Sequence, residues 1–380
     1  MIKASSENLP WQPIFTIERS RKAEVTVYGI VSVVTGNDHF ADFSKPLEQR
    51  YRALVSHGKT DFELWTRSLL KPWQLLSHMD ILKRHYPDLK DEHYALFMAS
   101  HSAEPCHMEA LETVIKITGI SEDSLRCPQA SPLCQESKDL MKTRGEKPRR
   151  RYHNCSGKHS GYLATMKAMG QKPETYLEEG NPHHDDLKEI LAYFTGRPTS
   201  SFTATTDGCQ LPNYALSTFE IAGIYQSLFN LENKPLAKPE WSHWGKLGQL
   251  MHSHPRHVSG LGRLDYKIMT GEVFPGADFQ AAAKEGADGL LGVSLITNKF
   301  PNGLGICIKL SSGFDNKHME LILREILQQL DLAPPKKKEV QEVRVDHIKT
   351  HFHFQANSFG SASGSDSGSG SKPLPLSTVS

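Results

Sequence analysis

The chain has 380 residues, of which 38% are hydrophobic and 23% charged, with a formal net charge of +1. That balance excludes the basic excess of a dedicated DNA or RNA binder, and it supplies enough apolar residues for one catalytic unit around an extended core. The cysteines at 106, 127, 134, 155, 209 and 307 are too few for a disulfide scaffold, so thiols or metal ligands in a reducing compartment are expected.

Met1 to Lys22 hold Pro10, Pro13 and several charges but no uninterrupted apolar run. Neither a signal peptide nor a membrane span is read there, a cytoplasmic location is expected, and residues 1–17 read as an N-terminal extension. Val25 and Val27 alternate ahead of Ile30 to Val34, which predicts a strand or bulged hairpin. From about Lys45 to Gly196 the spacing turns helical, as in Leu75, Met79 and Leu82. Leu290 to Thr297 and then Ile306, Ile308 and Leu310 flank Asn302-Gly303 like a hairpin. Asp315 then caps a helix whose Met319, Ile322, Ile326 and Leu330 share one stripe. Strands at both ends with helices between them predict an α+β fold, one antiparallel sheet built from N- and C-terminal segments and packed with helices. The catalytic domain would span 18–332. Residues 333–355 read as a basic extension, with the Val340, Val343, Val345 alternation taken as solvated in preference to an added edge strand, and 356–380 as a Ser/Gly-rich flexible tail.

Ser68 and Lys71 stand one helical turn apart, so a hydroxyl and an amine can meet on one face. Two other Ser-x-x-Lys matches exist, but Ser56 to Lys59 contains Gly58 and Ser369 to Lys372 lies in the tail, whereas Ser68 and Lys71 open an apolar, Pro72-marked helix. Ser100-His101-Ser102 follows, and Lys284-Glu285-Gly286 precedes the Leu290 strand. Penicillin-recognising enzymes use a Ser and Lys, a later Ser-rich element and a Lys-x-Gly element in this order. The plainer readings are a solvated helix start at Ser68 and a helix cap at Ser100.

Asn154-Cys155-Ser156-Gly157-Lys158-His159 packs a thiol, a hydroxyl, an amine and an imidazole around one glycine, and Gly208 permits a tight turn between Asp207 and Cys209. Two cysteines alone read more plainly as buried thiols than as metal ligands. The Arg149-Arg150-Arg151 run reads as a solvated basic loop.

Together, Ser68-Leu69-Leu70-Lys71, Ala99 to Ser102, Asn154 to His159, Asp207-Gly208-Cys209 and Ala283 to Ala287 resemble the rhizobial-type (inducible, thermolabile) L-asparaginase II family. His254-Pro255, Gly262-Arg263 and Asp265 extend the likeness, which runs from about residue 18 to 315. The resemblance implies a fold similar to serine β-lactamases and penicillin-binding proteins and hydrolysis of the side-chain amide of L-asparagine to aspartate and ammonia. It implies Ser68 as nucleophile, Lys71 as its base, and Ser100 with Lys284 as a second Ser-Lys pair. Cys155, Lys158 and Cys209 match the family's ligands for one zinc ion per subunit, with water as the fourth. Asp207, Arg263 and His159 are expected near the substrate, and a homodimer is expected. Where the family has a polar Glu-Ser-x-His-like stretch, this chain has Glu24 followed by Val25, Thr26 and Val27, which puts substrate choice in question. The alternatives are the same chemistry on glutamine, a β-lactam or a peptide, a non-catalytic zinc- or ligand-binding homologue, and a cysteine amidohydrolase using Cys155 with His159.

Overall fold

The computed structural model describes residues 9–229, 238–313, 315–333 and 347–352. Its main sheet contains β1 (Gln12–Arg19), β2 (Lys22–Gly36), β3 (Tyr51–His57), β7 (Gln280–Gly286), β8 (Leu290–Ile296), β9 (Leu304–Leu310) and β10 (His347–Thr350). The order is β10-β1-β2-β9-β8-β7, with β3 also paired to β2, and every pairing is antiparallel. A smaller sheet, β4-β6-β5, is formed by β4 (Glu63–Trp65), β5 (Ala204–Thr206) and β6 (Pro212–Ser217). N- and C-terminal segments thus share one antiparallel sheet, and the expected α+β class is the one observed.

Helices fill much of the interval between β2 and β7. They are α1 (Leu47–Arg50), α2 (Lys71–His85), α3 (Asp91–Phe97), α4 (Pro105–Thr118), α5 (Gln135–Thr143), α6 (Ser156–Ala168), α7 (Pro182–Thr195), α8 (Thr218–Gln226), α9 (Leu247–Ser253), α10 (Pro255–Val258) and α11 (Leu264–Met269), with α12 (Asn316–Gln329) after β9. Their ends carry local signals. Ser217 and Glu220 form a capping box on α8, Asp315 accepts from the His318 N–H at the start of α12, and Gly119 and Gly196 end α4 and α7 in the left-handed region.

Residues 29–35 of β2 are buried almost without alternation, as a strand covered on both faces must be. α8 packs on β2, β8 and β9, and it comes close because position 305 is glycine: a Cβ there would stand 1.8 Å from the Ala222 carbonyl oxygen. The hairpin through Asn302-Gly303 and the Asp315-capped helix are as the sequence predicts.

The section from Lys45 to Gly196 is mostly helical, as its spacing predicts, with β3 and β4 lying inside it. Two expectations need correction. Residues 1–17 are not all outside the fold, since β1 pairs with β2. The two are joined by Ser20 and Arg21, both at positive φ (51° and 62°), a tight primed turn made without its usual Gly or Asn. Pro13 is tolerated in β1 because it sits at a register shift. Finally, the 333–355 extension contributes β10, an edge strand on β1. Val340, Val343, Val345 and the tail 356–380 lie outside the described residues.

Candidate active site

Ser68 lies half-buried in a 3-10 turn, Arg67–Leu70, that runs directly into α2, and Lys71 is the first residue of that helix. Arg67 has φ 49°, an uncommon and strained value for a side-chain-bearing residue. The Asn213 side chain on β6 holds it there: its Nδ2 donates to the Arg67 carbonyl and its Oδ1 accepts from the Arg67 N–H, both at 3.0 Å. Arg67 also donates from Nε to Asp207 at 3.0 Å and pairs with Asp288, whose own φ is positive at the β7–β8 turn. One side chain therefore ties the Ser68 turn to the Cys209 loop and to the hairpin carrying Lys284.

Lys71 is fully buried. Its Nζ donates to the Ala99 carbonyl at 2.5 Å and to Ser100 Oγ at 2.8 Å. Burial pushes its pKa down to about 8; the Cys155 sulfur opposes the fall, and the positive charges of Lys158 and Lys284 add to it. Ser100 is held in an extended segment between α3 and α4 whose N–H groups at 100 and 102 donate to the Val258 and Ser259 carbonyls.

Lys284 on β7 is equally buried, and its partner is Asp265 on α11, at 2.8 Å. Burial alone would raise the Asp265 carboxyl, but Lys284, Arg263 and the Ser259 hydroxyl hold it well below the usual carboxylate range. Arg263 pairs with Glu285, lies 3.7 Å from Asp265 and donates to the Ser100 carbonyl at 3.2 Å. So Lys71 pairs with Ser100, while Lys284 and Arg263 belong to an adjoining buried ion-pair network.

Cys155 is the N-cap of α6, and Lys158 and His159 occupy that helix's first turn. Cys209 reaches them from the β5–β6 turn, where Gln210 takes φ 75° and the Asp207 N–H donates to the Leu211 carbonyl. Lys158 Nζ lies 3.1 Å from Cys209 Sγ. The Cys155 thiol is held well below the ordinary cysteine range, first by a hydrogen bond with Cys209, with burial opposing and Lys71 and Lys158 assisting. Burial pushes Lys158 down, yet the two sulfurs and Asp207 more than reverse this. Asp207 is lowered despite burial by Lys158, the Gly208 N–H and Arg67. His159 is driven by burial to about 4, and its Nδ1 lies 2.6 Å from the Tyr176 hydroxyl.

The structure thus gathers Lys71, Ser100, Cys155, Lys158 and Cys209 into one buried cluster beside the Ser68 turn, with Asp207 and His159 against the sulfurs and Lys284 behind Lys71. Two sulfurs and one nitrogen are donors that zinc accepts, and the buried His159 Nε2 without a hydrogen-bond partner marks unmet polar capacity beside them. The residues fit a zinc ion.

A second cluster fails the same test. Glu104, Cys106 and His107 have ligand atoms within 4.8 Å of one another. However, His107 Nδ1 accepts from the Glu104 N–H, and Nε2 lies 2.6 Å from the Arg256 carbonyl, which can only accept, so no imidazole lone pair remains. The Glu104 carboxylate is itself taken by Arg256 and the Leu261 N–H, each at 2.7 Å.

Sequence reasoning missed Arg67, Asn213, Tyr176 and the role of Asp265. Asp265 had a signal, since a lysine buried on a strand needs a counter-ion. Asn213 had none, because its task depends on where β6 lies in space.

A family model described as L-asparaginase II matches residues 44–358. The chain is an amidohydrolase. It belongs to the L-asparaginase II family. A comparison with curated proteins gives no match. Among solved structures, a Bacillus glutaminase crystallised in 4.3 M NaCl is 13% identical, with 80% of this chain and 92% of that chain covered and a TM-score of 0.34. A probable glutaminase from Bacillus subtilis complexed with 6-diazo-5-oxo-L-norleucine is also 13% identical, covering 80% and 85%, with a TM-score of 0.33.

Proposed function

We propose that the protein hydrolyses the side-chain amide of L-asparagine to L-aspartate and ammonia through an acyl-enzyme on Ser68. The observation that carries this is Lys71, a buried amine pushed down to about 8 beside a serine turn in a member of the L-asparaginase II family. As a neutral amine it has two N–H bonds, which the Ala99 carbonyl and Ser100 Oγ accept, and one lone pair left to take the Ser68 proton. Ser68 Oγ then attacks the amide carbon. Backbone N–H groups at the start of the helical turn, that of Ser68 among them, hold the oxyanion, a contribution worth about 3 kcal/mol per donor. Lys71, directly or through Ser100, returns the proton to the leaving ammonia, and a water activated by the same amine cleaves the ester.

Cys155, Lys158 and Cys209 would hold zinc, with Lys158 as the free amine. A bound dication would offset the thiolate charge beside Lys71 and favour its unprotonated form. Lys284 then contributes positive charge behind Lys71 while its Nζ donates to Asp265. Asp207 and Arg263, at the edge of the cluster, are the proposed partners of the substrate's ammonium and carboxylate. A homodimer and a cytoplasmic location belong to the same reading.

Ammonia release from L-asparagine, L-glutamine and a β-lactam, measured for wild type and Ser68→Ala, tests it. Asparagine turnover that vanishes in Ser68→Ala is expected. A faster wild-type reaction with glutamine would overturn the substrate assignment, and unchanged turnover in Ser68→Ala would overturn the mechanism.

A further inference from the structure

We infer that His101 is a positioning residue for Ser100: stacked on His107, it braces the extended segment that presents the Ser100 hydroxyl to Lys71. This role rests on the reading of Ser100 as a proton relay. The two imidazoles are fully buried, with ring centroids 5.3 Å apart and planes 27° from parallel. They meet at a bend that needs them. Ala103, between Ser100 and α4, takes φ 56°, a left-handed conformation unfavourable for a residue with a Cβ. The Ala103 N–H donates to His101 Nδ1 at 3.1 Å, and the Glu104 N–H donates to His107 Nδ1 at 3.0 Å. Two successive buried N–H groups are thus satisfied by side chains at a point where the backbone is in neither helix nor strand.

A backbone N–H can only donate, so each Nδ1 offers a lone pair and each Nε2 carries a hydrogen. Every one of these hydrogens has an acceptor. His107 Nε2 donates to the Arg256 carbonyl at 2.6 Å; His101 Nε2 donates to Ser156 Oγ at 2.8 Å, whose own hydrogen goes to the Arg151 carbonyl, also at 2.8 Å. The pair therefore ties the segment to two different elements. His107 holds α10, whose Val258 carbonyl accepts from the Ser100 N–H at 3.0 Å. His101 holds the start of α6, beside the Asn154 carbonyl that accepts from the His101 N–H at 3.1 Å. Ser100 stands between these anchors, its Oγ 2.8 Å from Lys71 Nζ. Without the His101 ring the Ala103 N–H loses its acceptor in the interior, the bend loses its support, and the Ser100 hydroxyl loses its fixed distance to Lys71. The Ser68 turn and Asp207 lie on other elements and keep their own hydrogen bonds.

The test is steady-state kinetics of the full chain, with whichever of L-asparagine and L-glutamine the wild type hydrolyses faster, so that a wrong substrate assignment leaves it standing. His101→Ala should lower kcat about 10–100-fold with KM unchanged. His101→Asn should recover most of that loss, because an asparagine Oδ1 reaches the N–H two residues on and restores the bend. In a Ser100→Ala background His101→Ala should add no further loss, since it acts through that hydroxyl. Where His101→Ala does not fold, His107→Gln takes its place in the same cycle: glutamine keeps the bond to the Glu104 N–H and gives up the tie to the Arg256 carbonyl, for a smaller loss that again disappears when Ser100 is already alanine. Losses that multiply in full, or an unchanged kcat in a folded His101→Ala, would overturn the positioning role alone. Full activity in Ser100→Ala would instead overturn the relay on which that role rests.

Discussion

Asn213 grips the backbone of Arg67 from both sides, through its amide nitrogen to the carbonyl and its amide oxygen to the N–H. The left-handed conformation at Arg67, and with it the presentation of Ser68, depends on that grip. Asn213→Ala removes both hydrogen bonds to Arg67 and one from Thr66, and should destabilise the fold by about 1–3 kcal/mol. It should also lower kcat more than it changes KM, because the Ser68 turn loses its fixed geometry. Urea unfolding and steady-state kinetics of the variant check both; unchanged kcat would separate the clamp from catalysis.

Lys71→Met replaces a buried amine by an apolar side chain of similar length. Turnover should fall by about 10²–10⁴-fold, the usual worth of a positioned base. Stability should hold or rise, because burying an amine is costly. Thermal melts beside ammonia release distinguish this from unfolding.

Asp265→Asn should be severe. Both it and Lys284 are wholly inaccessible, and breaking a buried pair leaves one charge uncompensated, at a cost of about 3–5 kcal/mol. The pH dependence has a definite direction. The Asp265 carboxyl is held below its unfolded value of 3.8, so its contribution is complete above that pH and is lost as the pH falls further. Acid unfolding curves should show wild type and Asp265→Asn converging in strongly acidic solution and reaching their full, constant separation by about pH 4.

Cys209→Ser should abolish stoichiometric zinc, whereas Cys106→Ser should leave it intact because the neighbouring His107 has no lone pair to offer. Metal analysis after dialysis decides between the two clusters. Zinc lost from Cys106→Ser alone would reverse the assignment.

The parts legible in the sequence were those whose cause is local. Alternation around Asn302-Gly303, the Asp315 cap and the apolar stripe of α12 each follow from neighbours within a few residues. The Ser-x-x-Lys pair and the two cysteine motifs were visible as residue types, yet spacing alone could not say that Lys71 would face Ser100 and Lys284 would face Asp265. β1 was hidden by a primed turn lacking glycine. Asn213 and Tyr176 act across the fold, so nothing in their own segments announces them.

The pairing of β2 with β9 joins residues 29–35 to 304–310. During synthesis, at roughly 5–20 residues per second, β2 must wait many seconds for its partner while the intervening helices emerge. A ribosome-bound chain ending before β9 would present an unfinished, valine-rich edge able to recruit other chains. Its hydrolytic centre would also arrive late, since Lys284 is translated long after Ser68 and Lys71.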